Sequence, residues 1–341
     1  MSTRPLFITF PVDLGNTTYE SNLVELFSDN IDFFRFAPEH VGKKNSLNKS
    51  ILYRLKSMFK LRKEVRAVSK KGGKVIFHGI SPALFSFGAW KSDNVLIIVD
   101  WTRELYPSVL GKERKKGIMF PIHKKILEHC PKIACWTEAV MENMITFYKI
   151  PPTQLYRLPA PFLLEKLSMI PRVTPKLPRV LFIGGDWLRK GGDIIQSSWE
   201  SNLKTKCKLT ILTTNTNISI DGVQILNNIR YGTPEHWEIF EQNDILILPT
   251  RIDSYPQVIG EAAAAGLAVV TTKFALGAKD VIIHGESGYI AESPEDSIRF
   301  LEELLDNPSK IDQFKNIGYT HMLAKFSKSE IRKKYFEIID L

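Results

Sequence analysis

Short apolar segments alternate with helical patterns along the whole chain, and this alternation restricts its fold more than any other feature. In the first half the predicted strands are residues 6–10, 75–78, 95–99, 132–136 and 155–158. In the second half they are residues 179–184, 208–213, 223–226, 244–248, 267–272 and 289–290. Strands that alternate with helices favour parallel α/β sheets, with the helices packed on the sheet faces.

A proline-rich stretch divides the 341 residues, which are enough for two separate cores. Five prolines lie in the stretch that begins with Pro159 and ends with Pro178. We therefore predict a first domain over residues 1–170, a second over residues 171–327, and a closing helix over residues 328–341. The expected architecture is two Rossmann-like domains facing each other across a cleft, with ligands at the carboxyl ends of the strands.

Composition excludes several classes of protein. Apolar residues make up 44% and charged residues 24%, which is typical of a folded globular chain rather than a disordered one. No apolar run approaches the ~18 residues that cross a bilayer, and Asp13 interrupts the first one too early for a secretion signal. The three cysteines do not form a disulfide framework, so we expect a reducing cytoplasm.

The most informative segment for function begins at the predicted strand 244–248. A turn follows that carries Asp253, and then a helix carries Glu261 on its second turn. The free N–H groups near Gln257 and Val258, with the positive end of the helix dipole, suit the phosphates of a nucleotide diphosphate sugar. The alternative is an ordinary strand, turn and helix with an Asp cap and a solvated Glu.

The residues after Glu261 favour the first interpretation. They are a small-residue helix ending at Gly266, an apolar strand over residues 267–272, and a closing Gly-x-x-Gly loop at Gly285–Gly288. Together, residues 178–292 resemble the C-terminal half of retaining GT-B glycosyltransferases, the family called glycosyl transferases group 1. Asp253 stands where the family more often has Glu.

The resemblance implies transfer of a hexosyl group, with retention of configuration, from a nucleotide diphosphate sugar to a glycan, a glycolipid or another cell-envelope acceptor. A UDP-sugar is favoured as donor, and a GDP-sugar is the alternative. Glu261 would hold the ribose and Asp253 the transferred sugar, while Lys190 would neutralise the diphosphate. The donor site so implied comprises Gly184, Gly185, Arg189, Lys190, Arg230, Tyr231, Asp253, Ser254, Tyr255, Gln257, Val258 and Glu261.

Two loops complete this donor site. The glycines after the strand 179–184 let the backbone approach a ligand, and Lys190 can place a point charge on phosphate. Many family members carry an Arg where this chain has Gly185, so Arg189 is the candidate substitute. The loop with Arg230 and Tyr231 lies along the nucleobase in the family; the alternative is a plain turn capped by Thr233.

The first half of the chain offers fewer candidates. Asp100 ends an apolar strand at a place where many similar enzymes have a His, and it is our third catalytic candidate beside Asp253 and Lys190. It would orient or deprotonate the acceptor hydroxyl, or else serve as a helix N-cap. Gly15 and Asn16, in a predicted turn after the first strand, are the acceptor-side candidates.

No metal or other cofactor is predicted. The sequence has no Asp-x-Asp motif, and its seven histidines lack ligand spacing. Cations and the helix dipole would then stabilise the leaving diphosphate. Two alternatives remain open: a nucleotide-sugar epimerase or phosphorylase of GT-B fold, and a non-catalytic subunit that binds nucleotide sugars.

Positive charge is concentrated in one segment. The chain has a net charge of +9, and Lys43–Lys74 alone contains 12 basic residues and one acid, Glu64. Apolar residues within it fall near helical spacing, which is typical of a helix on an anionic membrane surface. The alternative is a core-packed helix with a solvated basic face.

No nucleic acid partner is expected, because no recognition motif is present. The expected location is cytoplasmic, with a peripheral position on the inner face of the membrane as one option.

Overall fold

The computed structural model describes residues 4–10, 14–36, 47–113, 115–162, 164 and 171–339. The chain divides into two compact units, Met1–Pro161 with Arg332–Leu341, and Phe162–Ile331. Each unit contains one six-stranded sheet in which every described strand pair is parallel.

The first unit is built around a sheet with strand order β2-β1-β3-β4-β5-β6. Its strands are β1 (Leu6–Thr9), β2 (Asp32–Arg35), β3 (Val75–His78), β4 (Val95–Val99), β5 (Lys132–Cys135) and β6 (Leu155–Arg157). Its helices are α1 (Leu14–Phe27), α2 (Leu47–Ser69), α3 (Ile80–Phe85), α4 (Leu105–Val109), α5 (Phe120–His129) and α6 (Glu138–Asn143).

Helices cover both faces of this sheet, since every residue of the central strands β3 and β4 is buried. The connections β2 to β3, β3 to β4 and β4 to β5 all step in the same direction across the sheet. Because such crossovers are right-handed, α2, α3 and α5 lie on one face and α1, whose connection steps the other way, on the opposite face.

The second unit has the strand order β12-β11-β10-β7-β8-β9. Its strands are β7 (Arg179–Ile183), β8 (Lys208–Leu212), β9 (Gln224–Leu226), β10 (Ile245–Leu248), β11 (Ala268–Thr272) and β12 (Gly288–Ala291). Its helices are α7 (Trp187–Lys190), α8 (Gly192–Ser198), α9 (Pro234–Glu241), α10 (Gln257–Ala264), α11 (Ala278–Val281), α12 (Pro294–Leu305) and α13 (Pro308–Phe326).

The neighbours β7 and β10 form the switch point of the second sheet. From β7 the chain order continues outward to β8 and β9, and from β10 it continues the other way to β11 and β12. In open parallel sheets the connections that leave such a pair go to opposite faces, so a crevice opens at the carboxyl ends of the two strands. Ligand-binding groups are therefore expected in the loops after β7 and β10.

The last helix, α14, spans Lys328–Ile339, and its part from Arg332 onward belongs to the first unit. The hydroxyls of Tyr335 and Tyr19 lie 3.3 Å apart, and the Tyr335 ring centroid lies 4.9 Å from that of Phe27. These contacts fix α14 against α1.

The predicted α/β class with two Rossmann-like sheets is confirmed by this topology. Strand β2 was not predicted, and Gly15 and Asn16 lie in the first turn of α1 rather than in a separate turn. Helix α2 covers much of the predicted basic segment, but Lys43 and Lys44 lie outside the described residues. In the part of the chain that the structure describes, no helix combines the length and apolar character needed to span a bilayer.

Candidate active site

A glycine-rich loop follows β7 and leads into the short helix α7. The Asp186 carboxylate caps this helix: it accepts hydrogen bonds from the Arg189 backbone N–H at 3.2 Å and from Arg189 Nε at 3.0 Å. Gly191 ends the helix with a φ of +81°, and a Cβ on it would lie 2.2 Å from the carbonyl oxygen of Pro249. Only glycine fits this position, so the loop after β7 presses directly against the segment after β10.

The close approach of these two loops brings Lys190 and Asp253 together. Lys190 Nζ donates to the Asp253 carboxylate in an ion pair whose side chains are only 14% and 16% exposed. Arg189 adds a second cation, with a terminal nitrogen 3.4 Å from the same carboxylate and 3.2 Å from the carbonyl oxygen of Ile252. All three are candidates from the sequence, and the structure brings them together; the pairing of the acid with both cations was not predicted.

The backbone around Asp253 fixes the position of its carboxylate. The Asp253 N–H donates to the carbonyl of Phe274 at 2.9 Å, and its own carbonyl accepts from Leu276 at 2.9 Å. On the other side, the Arg251 N–H donates to the carbonyl of Arg189 at 2.8 Å. The acid is therefore held between the loop after β7 and the loop after β11.

The turn between Asp253 and α10 packs inward. Tyr255 is buried, its hydroxyl donates to Asp280 at 3.0 Å, and its ring leaves no room for a side chain at Gly277. The carbonyl of Ser254 accepts from the Gly277 N–H at 2.9 Å. These contacts position the turn, and they leave the N-terminus of α10 to begin at the half-buried Gln257.

The N-terminus of α10 carries no side-chain cap. Pro256 occupies the cap position, and Gln257 and Val258 are the first two helical residues. The first N–H groups of a helix have no partner within it and carry its positive dipole end. They lie on the same loop as Asp253, which places a second source of positive potential at the switch point.

Glu261 lies one turn further along α10 and is only 5% exposed. Tyr231, from the loop after β9, donates its hydroxyl to Glu261 Oε1 at 3.1 Å. Burial raises the pKa of Glu261 to about 7, against the opposing effect of the Tyr231 hydroxyl. The Glu261 carboxyl, with a pKa of about 7 and one phenolic partner, can accept further hydrogen bonds from a diol when it is ionised.

The rest of the loop after β9 has a mixed role. Arg230 is exposed, and its carbonyl accepts from the Thr233 hydroxyl at 3.1 Å. Thr233 caps α9 by accepting from the His236 N–H at 3.4 Å, as the turn interpretation predicted. The Tyr231 ring packs 4.9 Å from the ring of His236. Tyr231 is thus the member of this loop that reaches the carboxylate.

In the first unit, Asp100 follows β4 and is half-buried. The next helix, α4, begins at Leu105 with Glu104 at its cap position, so the alternative role of Asp100 as a helix cap is wrong. His78 ends the adjacent strand β3. It is 4% exposed, burial lowers its pKa to about 3, and its Nε2 has no hydrogen-bond partner among the described residues. His78 was not among the residues predicted from the sequence, because its position at the end of a strand is the only signal that the sequence gives for it.

The second unit therefore brings these groups together at the carboxyl ends of its strands. Two cations and an uncapped helix N-terminus suit an anion such as phosphate, and two carboxyls suit hydroxyl donors. Over the described ranges, no group of three or more His, Cys, Asp or Glu side chains could hold a metal ion. The arrangement fits a ligand with both phosphate and polyol parts.

The chain resembles known glycosyltransferases in part of its sequence and in its fold. Residues 177–307 match the family described as glycosyl transferases group 1. An uncharacterized glycosyltransferase of Haemophilus influenzae is 32% identical over 71 residues. That match spans only about a fifth of this chain and a fifth of the length of the curated relative.

Solved structures match over nearly the whole chain. Sucrose-phosphate synthase from Thermosynechococcus elongatus has a TM-score of 0.74 at 14% identity and covers 99% of this chain and 98% of its own. HepE from Anabaena, solved in complex with UDP-glucose, has a TM-score of 0.74 at 11% identity and covers 99% and 100%. At such identities the likeness establishes the fold. The family match covers residues 177–307, and the two-sheet fold is that of GT-B glycosyltransferases.

Proposed function

We propose that the protein transfers a sugar from a nucleoside diphosphate sugar to an acceptor hydroxyl. Glu261 accepts hydrogen bonds from the ribose, Asp253 from the transferred sugar, and Lys190 with the N-terminus of α10 neutralises the diphosphate. UDP is the favoured nucleotide, in keeping with HepE, which was solved with UDP-glucose. The meeting of Lys190, Arg189 and Asp253 at the switch point between β7 and β10 carries this proposal.

The acceptor is a glycan, a glycolipid or another cell-envelope hydroxyl, held by the first unit near Asp100. The proposed reaction retains the configuration of the sugar. In it the leaving phosphate helps to take the acceptor proton, and Lys190 stabilises the charge that develops on that phosphate. The reducing cytoplasm is the proposed compartment, in keeping with the free and buried state of Cys130, Cys135 and Cys207.

A thermal-shift screen of nucleotide sugars and nucleoside diphosphates tests the donor part directly. A ligand present at 100 times its dissociation constant adds about 2.7 kcal/mol of stability. We expect a uridine or guanosine diphosphate series to raise the melting temperature. Donor that is epimerised without an acceptor would indicate an epimerase, and donor that binds without transfer to any acceptor would indicate a binding subunit.

Replacing Glu261 by glutamine is expected to weaken UDP binding about ten- to hundredfold, because charge-assisted hydrogen bonds to the ribose are lost. The nearly isosteric amide keeps the volume and leaves α10 packed. The measurement is calorimetry with UDP and with uridine, and both ligands should lose affinity by the same factor. Glu286→Gln, at an exposed position of the same unit, is the matched control. Wild-type affinity in a folded Glu261→Gln protein would exclude the ribose role.

The pH dependence of UDP binding follows from the raised pKa of Glu261. Ribose hydroxyls donate to the ionised carboxylate, so ligand binding lowers that pKa and releases a proton. Affinity should therefore rise as pH increases from about 5 and level off above about 7, by at most tenfold per pH unit. Subtracting the profile of Glu261→Gln removes the titration of the phosphate. A profile that is the same in both proteins would contradict this assignment.

Transfer is expected to continue in EDTA. The diphosphate is neutralised by Lys190, by Arg189 and by the dipole of α10, which replace the role of a divalent ion. Release of UDP from the donor sugar is measured with EDTA, and then with magnesium or manganese added back. A complete loss of release in EDTA that either ion restores would refute the cation-based account.

A further inference from the structure

The helix α2 in the first unit presents a surface that the donor site does not use. Leu61 and Val65 are fully buried, and α2 contacts β3 and α3 through this side. Leu55 and Phe59, each six residues before one of these two, lie on a different side of the helix and are 41% and 60% exposed. The same helix therefore buries one apolar stripe and leaves a second apolar pair in the open.

A third exposed apolar residue lies beside this pair, just after α3. Phe87 lies in the turn after α3, is 41% exposed, and its ring centroid lies 5.6 Å from that of Phe59. Its backbone has a φ of +48°, which L-residues with large side chains seldom adopt. A costly backbone conformation thus holds a large aromatic ring at the surface, beside another exposed ring. We name Leu55, Phe59 and Phe87 the apolar cluster.

Unneutralised cations surround the apolar cluster. On α2, the exposed cations near it are Arg54, Lys56, Lys60, Lys63 and Arg66. None of the five forms an ion pair with a carboxylate of the described residues, whereas two exposed lysines of the second unit do: Lys204 pairs with Asp221 and Lys273 with Glu292. Lys60 Nζ lies 5.6 Å from the ring centroid of Phe34. The surface therefore combines exposed apolar area with uncompensated positive charge.

We propose that α2 and the turn after α3 dock the protein on an anionic lipid bilayer, with the apolar cluster inserted among the acyl chains and the α2 cations placed at the headgroups. A solvated basic face explains the cations but not the exposed aromatic pair. A soluble polyanion would also match the cations, but it would gain nothing from Phe59 and Phe87. An anionic lipid surface uses both parts.

Sedimentation with vesicles tests this proposal without donor or acceptor. We expect binding when about a third of the lipid is phosphatidylglycerol, little binding to pure phosphatidylcholine, and a steep decrease with salt. Replacing Lys56, Lys60, Lys63 and Arg66 by glutamine should weaken binding several hundredfold, at roughly fivefold per cation. The matched control replaces four exposed lysines of the second unit by glutamine, and it should bind as the wild type does. These are Lys204, Lys208, Lys273 and Lys279.

The apolar part is tested separately. Phe59→Ser with Phe87→Ser should lower binding to anionic vesicles at least tenfold, while Leu323→Ser, at an equally exposed leucine of α13, should not. Because the three native cysteines are buried, a thiol-reactive fluorophore should label Phe59→Cys selectively. Its emission should shift to the blue on vesicles, since insertion places it among the acyl chains. UDP affinity should be unchanged in every variant, which separates this surface from the donor site.

Equal binding to neutral and anionic vesicles would overturn the proposal. So would cation-dependent binding that ignores Phe59 and Phe87 and leaves the fluorophore spectrum unchanged, since that result points to a soluble polyanion. Failure of the donor-site predictions would leave the vesicle results intact, because neither depends on the other.

Discussion

Replacing Lys190 by alanine is expected to reduce donor cleavage by about 10²- to 10³-fold, the usual effect of removing one preorganised donor from a developing oxyanion. Lys190 is mostly buried beside Asp253, so its charge acts in surroundings with little water to screen it. The measurement is the rate of UDP release from the donor sugar, with water or a screened hydroxyl compound as acceptor.

Ligand affinities locate this effect on the diphosphate. Lys190→Ala should weaken UDP about ten- to hundredfold, since a charge-assisted hydrogen bond is lost, and should leave uridine affinity unchanged. Glu261→Gln should weaken both ligands. Arg189→Ala should have a smaller effect on UDP, because Asp186 and the carbonyl of Ile252 already hold this guanidinium. If Lys190→Ala cleaves the donor at the wild-type rate, the phosphate role is refuted.

Asp253→Asn gives the opposite pattern and is the sharpest control. The substitution removes the carboxylate that pairs with Lys190 and Arg189, so both cations are free to face the diphosphate. UDP affinity should rise several-fold, while donor cleavage should fall, because the sugar loses a charged hydroxyl acceptor. Loss of UDP affinity in this variant would show that Asp253 acts mainly by holding the cations in place.

The fold was predictable where strands are buried on both sides. Residues 75–77 and 95–99 are continuous apolar runs, and the structure has β3 and β4 there, with His78 as the last residue of β3. Strand β2 escaped prediction because it is short, begins with Asp32, ends with Arg35 and is partly exposed at the sheet edge. Such a strand forms because β1 offers it hydrogen bonds, and no apolar pattern records that.

The candidate site was predictable as a set of loops but not as a set of contacts. The spacing of Asp253 and Glu261 indicated which turn and which helix carry them. The pairing of Lys190 with Asp253 joins residues 63 positions apart and depends on β7 and β10 being neighbours. The bond from Tyr231 to Glu261 likewise depends on packing. The raised pKa of Glu261 follows from its burial, which a sequence does not state.

A buried charge network anchors the strand that delivers Asp253, and breaking it is expected to have the largest effect on stability. Asp244, directly before β10, is 1% exposed and accepts from Arg179 Nε at 2.9 Å, the Arg179 N–H at 3.0 Å and Lys315 Nζ at 3.2 Å. Lys315 is itself 2% exposed and also donates to the carbonyl of Arg172. The carboxylate therefore links β7, β10 and α13.

Asp244→Ala is expected to destabilise the second unit by about 3–5 kcal/mol, because it leaves the Lys315 ammonium buried without its closest counter-ion. Its melting transition should fall by about 6–20 °C. Lys315→Met should cost less, since Asp244 keeps Arg179. The double variant should be more stable than Asp244→Ala alone, because it no longer buries an ammonium that has lost its closest counter-ion. Calorimetric scans of the four proteins give the coupling directly. Simple addition of the two losses would mean that Lys315 and Asp244 do not stabilise each other.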